Sequence, residues 1–306
     1  MTGCSPEPVI GEDDAVRRPE RDLGLAVVVL AWIGLILAAD AVPGLRGAEL
    51  SRQVVLAALT WFLLAALLRR EPALVRVQTL LVVGFASVVE YTFSPLLGAY
   101  VYRIGTVPGF VPPGHGLVYL AALALGRSRL LRSHSRLAVT ATVLVGGAWA
   151  GYGLLFADRR DVLGAFWFCC LLGFLVWGRA RLLYVGAFVV VSYLEIIGTT
   201  LRVWAWQPED PVLHLIGQGN PPSGAAGGYG WFDLYAGLLA PVLIAWWSRS
   251  RPGAERKDQP DNAASVAACS NPLVATALPP NGPSTPASDV NRPPASTTMG
   301  TSAAMS

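Results

Sequence analysis

Two glutamates carry most of the chemical interest in this chain. Glu90 closes one long apolar stretch and Glu195 lies near the end of another. Tyr100, Tyr102, Arg103 and His115 follow the first; Arg202, Trp204, Trp206 and His214 follow the second. A carboxyl group at the edge of hydrocarbon costs a few kcal/mol unless it is paired or wetted, so it should face the interior of a helix bundle. Two roles are open to each glutamate there. One is general acid–base chemistry in an apolar site. The other is an ion pair, with Arg103 or Arg202, that only pins helix ends.

The neighbouring residues extend both alternatives. His115 follows Pro112 and Pro113, a pair suited to the first turn of a helix. His214 follows Asp210 and Pro211, an N-cap and first position for a short interfacial helix. A neutral imidazole can shuttle protons or bind metal, and each histidine can equally be an interfacial hydrogen-bonder. The two His and two Glu lack the HxxxH or ExxH spacing of a metal site, and the sequence calls for no metal and no cofactor. Tyr100, Tyr102, Trp204, Trp206 and Trp231 fit an aromatic belt at the membrane interface. Beside carboxylates they could instead line a cavity and stabilise positive charge. Asp233 and Asn220 are further polar residues of the second segment, and Gly228 and Gly230 read as loop geometry.

The elements that must hold these residues follow from composition. Of 306 residues, 53% are hydrophobic and only 14% charged, with mean hydropathy +0.49. Soluble proteins carry about 25% charged residues, so a soluble enzyme is excluded. A net charge of +3, scattered through short loops, argues against a nucleic-acid partner. Cys4, Cys169, Cys170 and Cys269 form no disulfide or zinc pattern. The expected fold class is all-α, a polytopic transmembrane bundle of about eight spans at 23–41, 52–68, 73–91, 107–126, 136–157, 162–178, 182–200 and 232–248. Residues 1–22 read as a polar extension, 23–248 as the helical domain, and 249–306 as a disordered tail rich in Pro, Ser and Thr. Gly147 and Gly151 make a helix-packing GxxxG.

Arginine placement orients the bundle. Arg17, Arg18, Arg21, Arg69, Arg70, Arg76, Arg127, Arg129, Arg132, Arg136, Arg179, Arg181, Arg249, Arg251, Arg256 and Lys257 fall on one side. Arg46, Arg52, Arg103, Arg159, Arg160 and Arg202 fall on the other. The positive-inside rule then puts both termini in the cytoplasm of a multi-pass cell-membrane protein. The segments 91–106 and 201–231 lie outside, framing a cavity at the ends of the third, fourth, seventh and eighth spans. The bilayer is the one partner the composition requires. Oligomeric state leaves no mark in the sequence. The parallel order of Glu, aromatics, Arg and His in the two halves is compatible with an internal repeat.

Two stretches resemble the carotenoid hydratase family, integral membrane enzymes that add water to an end double bond of a long polyene. Glu90 to Pro108 (EYTFSPLLGAYVYRIGTVP) is similar to that family's Glu, Gly-x-Tyr-x-Tyr and later Val-Pro. Trp204-Ala-Trp206, Asn220 and Gly230-Trp231 resemble its Trp-x-Trp, Pro/Asn stretch and Gly-Trp. This chain departs in having Pro221 and Pro222 after Asn220, and Glu195 where an aspartate is expected. The resemblance implies acid-catalysed hydration of a lipophilic isoprenoid. Glu90 or Glu195 would protonate the alkene, while Trp204, Trp206 and Tyr100 would stabilise the carbocation. His115, Asp233 or the second glutamate would orient water. Tyr102, Arg103, Arg202, His214 and Asn220 would complete the substrate site. The other two classes are a small-solute transporter or binding protein, and a non-catalytic scaffold acting through its tail.

Overall fold

A computed structural model describes residues 12–42, 49–178 and 180–249; Arg46, Arg179, Cys4, Cys269 and the tail from 250 onward lie outside the described residues. The chain forms helices α1 (Glu12–Ala41), α2 (Glu49–Leu68), α3 (Ala73–Tyr91), α4 (Val111–Arg127), α5 (Arg129–Ser133) and α6 (Ser135–Leu155). They are followed by α7 (Val162–Trp177), α8 (Arg181–Thr200) and α9 (Ala226–Arg249). Every expected span has a helix. Among the described residues, six helical segments are long and apolar enough to cross a membrane: Glu20–Ala41, Glu49–Leu68, Ala73–Leu96, Ser135–Leu155, Arg181–Thr200 and Ala226–Arg249. Helices α4 and α7, at 17 and 16 residues, fall short of that length.

Helix α4 is the hub. Leu117, Val118, Tyr119, Leu120, Ala121 and Ala122 are buried in unbroken succession, the mark of a helix enclosed on all sides. It packs against α1, α2, α3 and α8. Small residues allow the closest crossing: a Cβ on Gly186 of α8 would lie 2.4 Å from the Ala122 carbonyl oxygen.

Three boundaries differ from the sequence reading. Helix α1 starts at Glu12, so the polar stretch from there to Asp22 is continuous with the first helix. Helix α9 starts at Ala226, making the glycine-rich stretch helical. A Cβ on Gly227 would lie 1.9 Å from the Trp167 carbonyl oxygen, and one on Gly230 would strike the Phe174 ring; the glycines are there to seat α9 on α7. Residues 211–214 form turns, not a helix.

The architecture also contains a small sheet that an all-α reading omits. Strands β1 (Tyr100–Tyr102) and β2 (Trp204–Trp206) pair antiparallel, with Tyr100 opposite Trp206 and Tyr102 opposite Trp204. A wide turn at Thr92–Leu96, containing Pro95, leads from α3 toward β1. Gly98, at φ +73°, lets the chain reverse there. This ribbon brings the two polar segments together although about a hundred residues separate them.

Candidate functional site

Glu90 sits at the last turn of α3 and is 8% exposed. Its Oε2 accepts hydrogen bonds from the hydroxyls of Tyr100, at 2.8 Å, and Tyr102, at 2.7 Å. Its Oε1 lies 2.9 Å from His115 Nε2. The other ring nitrogen, Nδ1, lies 2.8 Å from the Tyr229 hydroxyl. With that hydroxyl donating to Nδ1, Nε2 is left to donate to Glu90, so three donors converge on one carboxylate. Burial and the neighbouring Glu90 charge hold the Tyr100 and Tyr102 phenols well above their ordinary range, which keeps both as donors.

Glu195, on α8, repeats the arrangement with indoles. The Nε1–H groups of Trp204 and Trp206 both donate to its Oε2, each at 3.1 Å. Side chains alternate across a strand, so residues two apart in β1 or β2 point to the same side, toward the glutamate of the preceding helix. Gly198 makes this possible on α8, because a Cβ there would lie 1.9 Å from the Trp204 ring. No hydrogen bond reaches Glu195 Oε1 among the described residues. Glu195 is only partly buried by exposure because it faces a cavity rather than packed side chains.

That cavity, of about 780 Å³, lies under the ribbon. Glu90, Glu195, His115, Tyr100, Tyr102, Trp204, Trp206 and Tyr229 line it at one end, and Trp32, Ile33, Ile36, Leu37, Leu117 and Val118 supply apolar wall. Phe93, Phe166, Val212 and Trp231 belong both to its lining and to the exposed surface.

The expected ion pairs of the glutamates are not formed. Arg103 turns instead to Glu49 Oε1 at 2.8 Å and Asp40 Oδ2 at 3.3 Å, tying β1 to α1 and α2. Burial opposes its charge, but the bonds to Glu49 and Asp40 outweigh it and hold the guanidinium above its ordinary value. Arg202 occupies a left-handed turn, at φ 59°, between α8 and β2. Neither arginine lines the cavity. His214 is exposed and also lies off it. Asn220 Oδ1 accepts the Trp206 backbone N–H at 3.0 Å, a contact that positions the strand. Asp233 stands apart from the cavity lining: Tyr119 and Tyr184 reach it at 3.4 and 3.1 Å, joining α9 to α4 and α8.

The cap over the cavity rests on residues the sequence did not single out. Asp161, 2% exposed, accepts backbone N–H groups from Gly164, Gly219 and Ser223 at 2.9, 2.7 and 2.7 Å. It is both the N-cap of α7 and the anchor of the 219–223 segment. Arg159 donates to the backbone carbonyls of Trp206, Gln207 and Gln218. Asp210 accepts four backbone N–H groups, from Val212, Leu213, Leu215 and Ile216. Those bonds pull its carboxyl from 3.8 down to about 2. Tyr229 and Gln218, both lining the cavity, were missed as well. The local signal for Asp161 was an Asp three residues ahead of a glycine at a helix start. Tyr229 and Gln218 lay in a stretch read as loop.

No family model, curated protein or solved structure matches this chain. Among the described residues, no group of three or more His, Cys, Asp or Glu side chains is arranged to hold a metal ion.

Proposed function

We propose that this chain is an integral membrane enzyme that hydrates an alkene of a lipophilic, isoprenoid-like substrate. The observation that carries the reading is the pair of glutamates set in an apolar cavity of about 780 Å³ with an aromatic wall. Membrane insertion is supported by the six membrane-length helices and by their outward apolar side chains, such as Val54, Phe62, Leu144 and Leu238. The substrate enters where the lining meets the surface, at Phe93, Phe166 and Trp231.

The hydrogen bonds support a division of labour. Glu90, held by three donors, is the fixed negative charge that favours a nearby cation. Glu195 is the acid, because its Oε1 is left to carry a proton toward the cavity. The alkene π pair takes that proton and forms a C–H bond, leaving a tertiary carbocation facing Trp204, Trp206 and Tyr100. A water lone pair then forms the C–O bond, and the proton the oxonium sheds returns to Glu195. Alkene and water give an alcohol, with no oxidant or cofactor in the balance. A transport reading fits less well, because the wall that α1 and α2 supply is apolar apart from Thr60 and the Trp32 indole, which bond each other.

The test is turnover of isoprenoid alkenes by the purified chain in lipid discs, with lipid and pigment profiling of a deletion strain. Glu195→Gln should lower turnover about 10²–10⁴-fold, the range of a lost general acid, with insertion unchanged. Full activity in both Glu195→Gln and Glu90→Gln overturns the proposal.

A further inference from the structure

The polar groups of the cavity wall are almost all committed to protein partners. Thr60 accepts the Trp32 indole N–H and donates to the Leu56 carbonyl. Glu90, Tyr100, Tyr102, His115 and Tyr229 bond to one another. Trp204 and Trp206 are spent on Glu195, and Asp210 on its own backbone turn. Among the described residues, the unpartnered groups of the lining are Glu195 Oε1, the indole N–H groups of Trp167 and Trp231, and the side-chain amide of Gln218.

Gln218 is the odd one. It is 1% exposed, yet its side-chain Nε2 is buried without a protein partner, and its Oε1 accepts no hydrogen bond among the described residues. Buried polar groups are otherwise satisfied in folded proteins, so each exception asks for a reason. Its backbone is fixed: the N–H donates to the Pro208 carbonyl at 2.9 Å, and the carbonyl accepts from Arg159. The same guanidinium holds the carbonyl of Trp206, whose indole bonds Glu195. Gln218 is therefore built into the wall that carries the acid. Of the unpartnered groups, the indoles only donate and Glu195 gives up its proton in the reaction, whereas a carboxamide donates and accepts without changing charge. That pairing suits a hydroxylic oxygen, which needs a donor and an acceptor in a dry site.

We propose that Gln218 binds the oxygen of the reaction: the attacking water before C–O bond formation, and the hydroxyl of the alcohol afterwards. The inference rests on the hydration reading for the identity of that oxygen. His115 has both nitrogens occupied, Asp233 lies off the lining and Glu90 is already held by three donors, which leaves the amide to take the orienting role.

The experiment uses the full-length chain in lipid discs and follows tryptophan fluorescence on titration with two probes, a C20 isoprenoid tertiary alcohol and its matching hydrocarbon. Wild type should bind the alcohol about tenfold more tightly, the size of one net hydrogen bond. Gln218→Met, similar in volume, should bind both probes equally while keeping the hydrocarbon affinity. Equal wild-type affinity for the two probes overturns the inference without needing a variant. So does an alcohol preference that survives in Gln218→Met. If the preference depends on Gln218 while Glu195→Gln and Glu90→Gln stay fully active, the oxygen site stands and the hydration reading fails.

Discussion

Glu90 and Glu195 share a design but differ in their donors, and the difference has consequences. A phenol donates from a flexible hydroxyl and can also accept, whereas an indole only donates, along a fixed direction. Glu90 therefore has a carboxylate enclosed by Tyr100, Tyr102 and His115, while Glu195 keeps one oxygen toward the cavity. Tyr102→Phe removes one of three donors from a buried acceptor. It should destabilise the detergent-solubilised protein by roughly 1–3 kcal/mol, read by thermal unfolding. Tyr235→Phe is the control. That hydroxyl makes no hydrogen bond among the described residues and its ring stacks on Phe85, which the substitution preserves. An equal loss in the two variants would mean that the Tyr102 hydroxyl contributes little.

At the scale of elements, helices were legible and their connections were not. Apolar runs such as 73–91 and 182–200 are long enough to dictate a helix whatever surrounds them. Three-residue strands carry no periodicity, so nothing local could pair Tyr100–Tyr102 with Trp204–Trp206. The two glutamates were legible as polar exceptions in apolar runs, whereas Gln218 and Tyr229 gained meaning only when 217–229 folded back onto α7. The repeat of Glu followed by two inward aromatics is visible in both halves; the histidine parallel ends at His115, since His214 is exposed. The cap offers two tests. Asp161→Ala leaves three buried N–H groups without their acceptor and should cost roughly 3 kcal/mol or more, seen as a lower unfolding temperature. Asp210 predicts a pH effect. Its folded value of about 2 lies below its ordinary 3.8, so its contribution is present above pH 4 and fades as pH falls through 2. Backbone amide exchange at 212–216 should be faster in Asp210→Asn than in wild type at pH 5, and the difference should shrink between pH 4 and 2. A constant difference across that range would contradict the assignment.

At the scale of the whole molecule, the described helices carry two chemically different groups of polar contacts. In one, Arg21 bonds the Arg70 carbonyl, Arg127 reaches Glu71 at 3.3 Å, and Arg76 caps the Glu71 and Arg69 carbonyls. In the other, Asp40, Glu49 and Arg103 meet the ribbon, and Arg159 and Asp161 hold the cap. The first group holds arginines that the sequence reading assigns to the cytoplasmic side, the second holds Arg103 and Arg159 from the other, and the positive-inside rule predicts that the first faces the cytoplasm. Val101, 44% exposed on the outer side of β1, and Leu130, 56% exposed beside the arginines of α5, report on the two groups. In a chain whose four native cysteines are replaced by serine, Val101→Cys should react with a membrane-impermeant maleimide on intact cells. Leu130→Cys should react only after lysis. The reverse pattern would invert the bundle and put the cavity mouth on the cytoplasmic side. Labelling of both positions in intact cells would remove the bilayer from between them, and with it the reason for two glutamates to be enclosed by apolar helices.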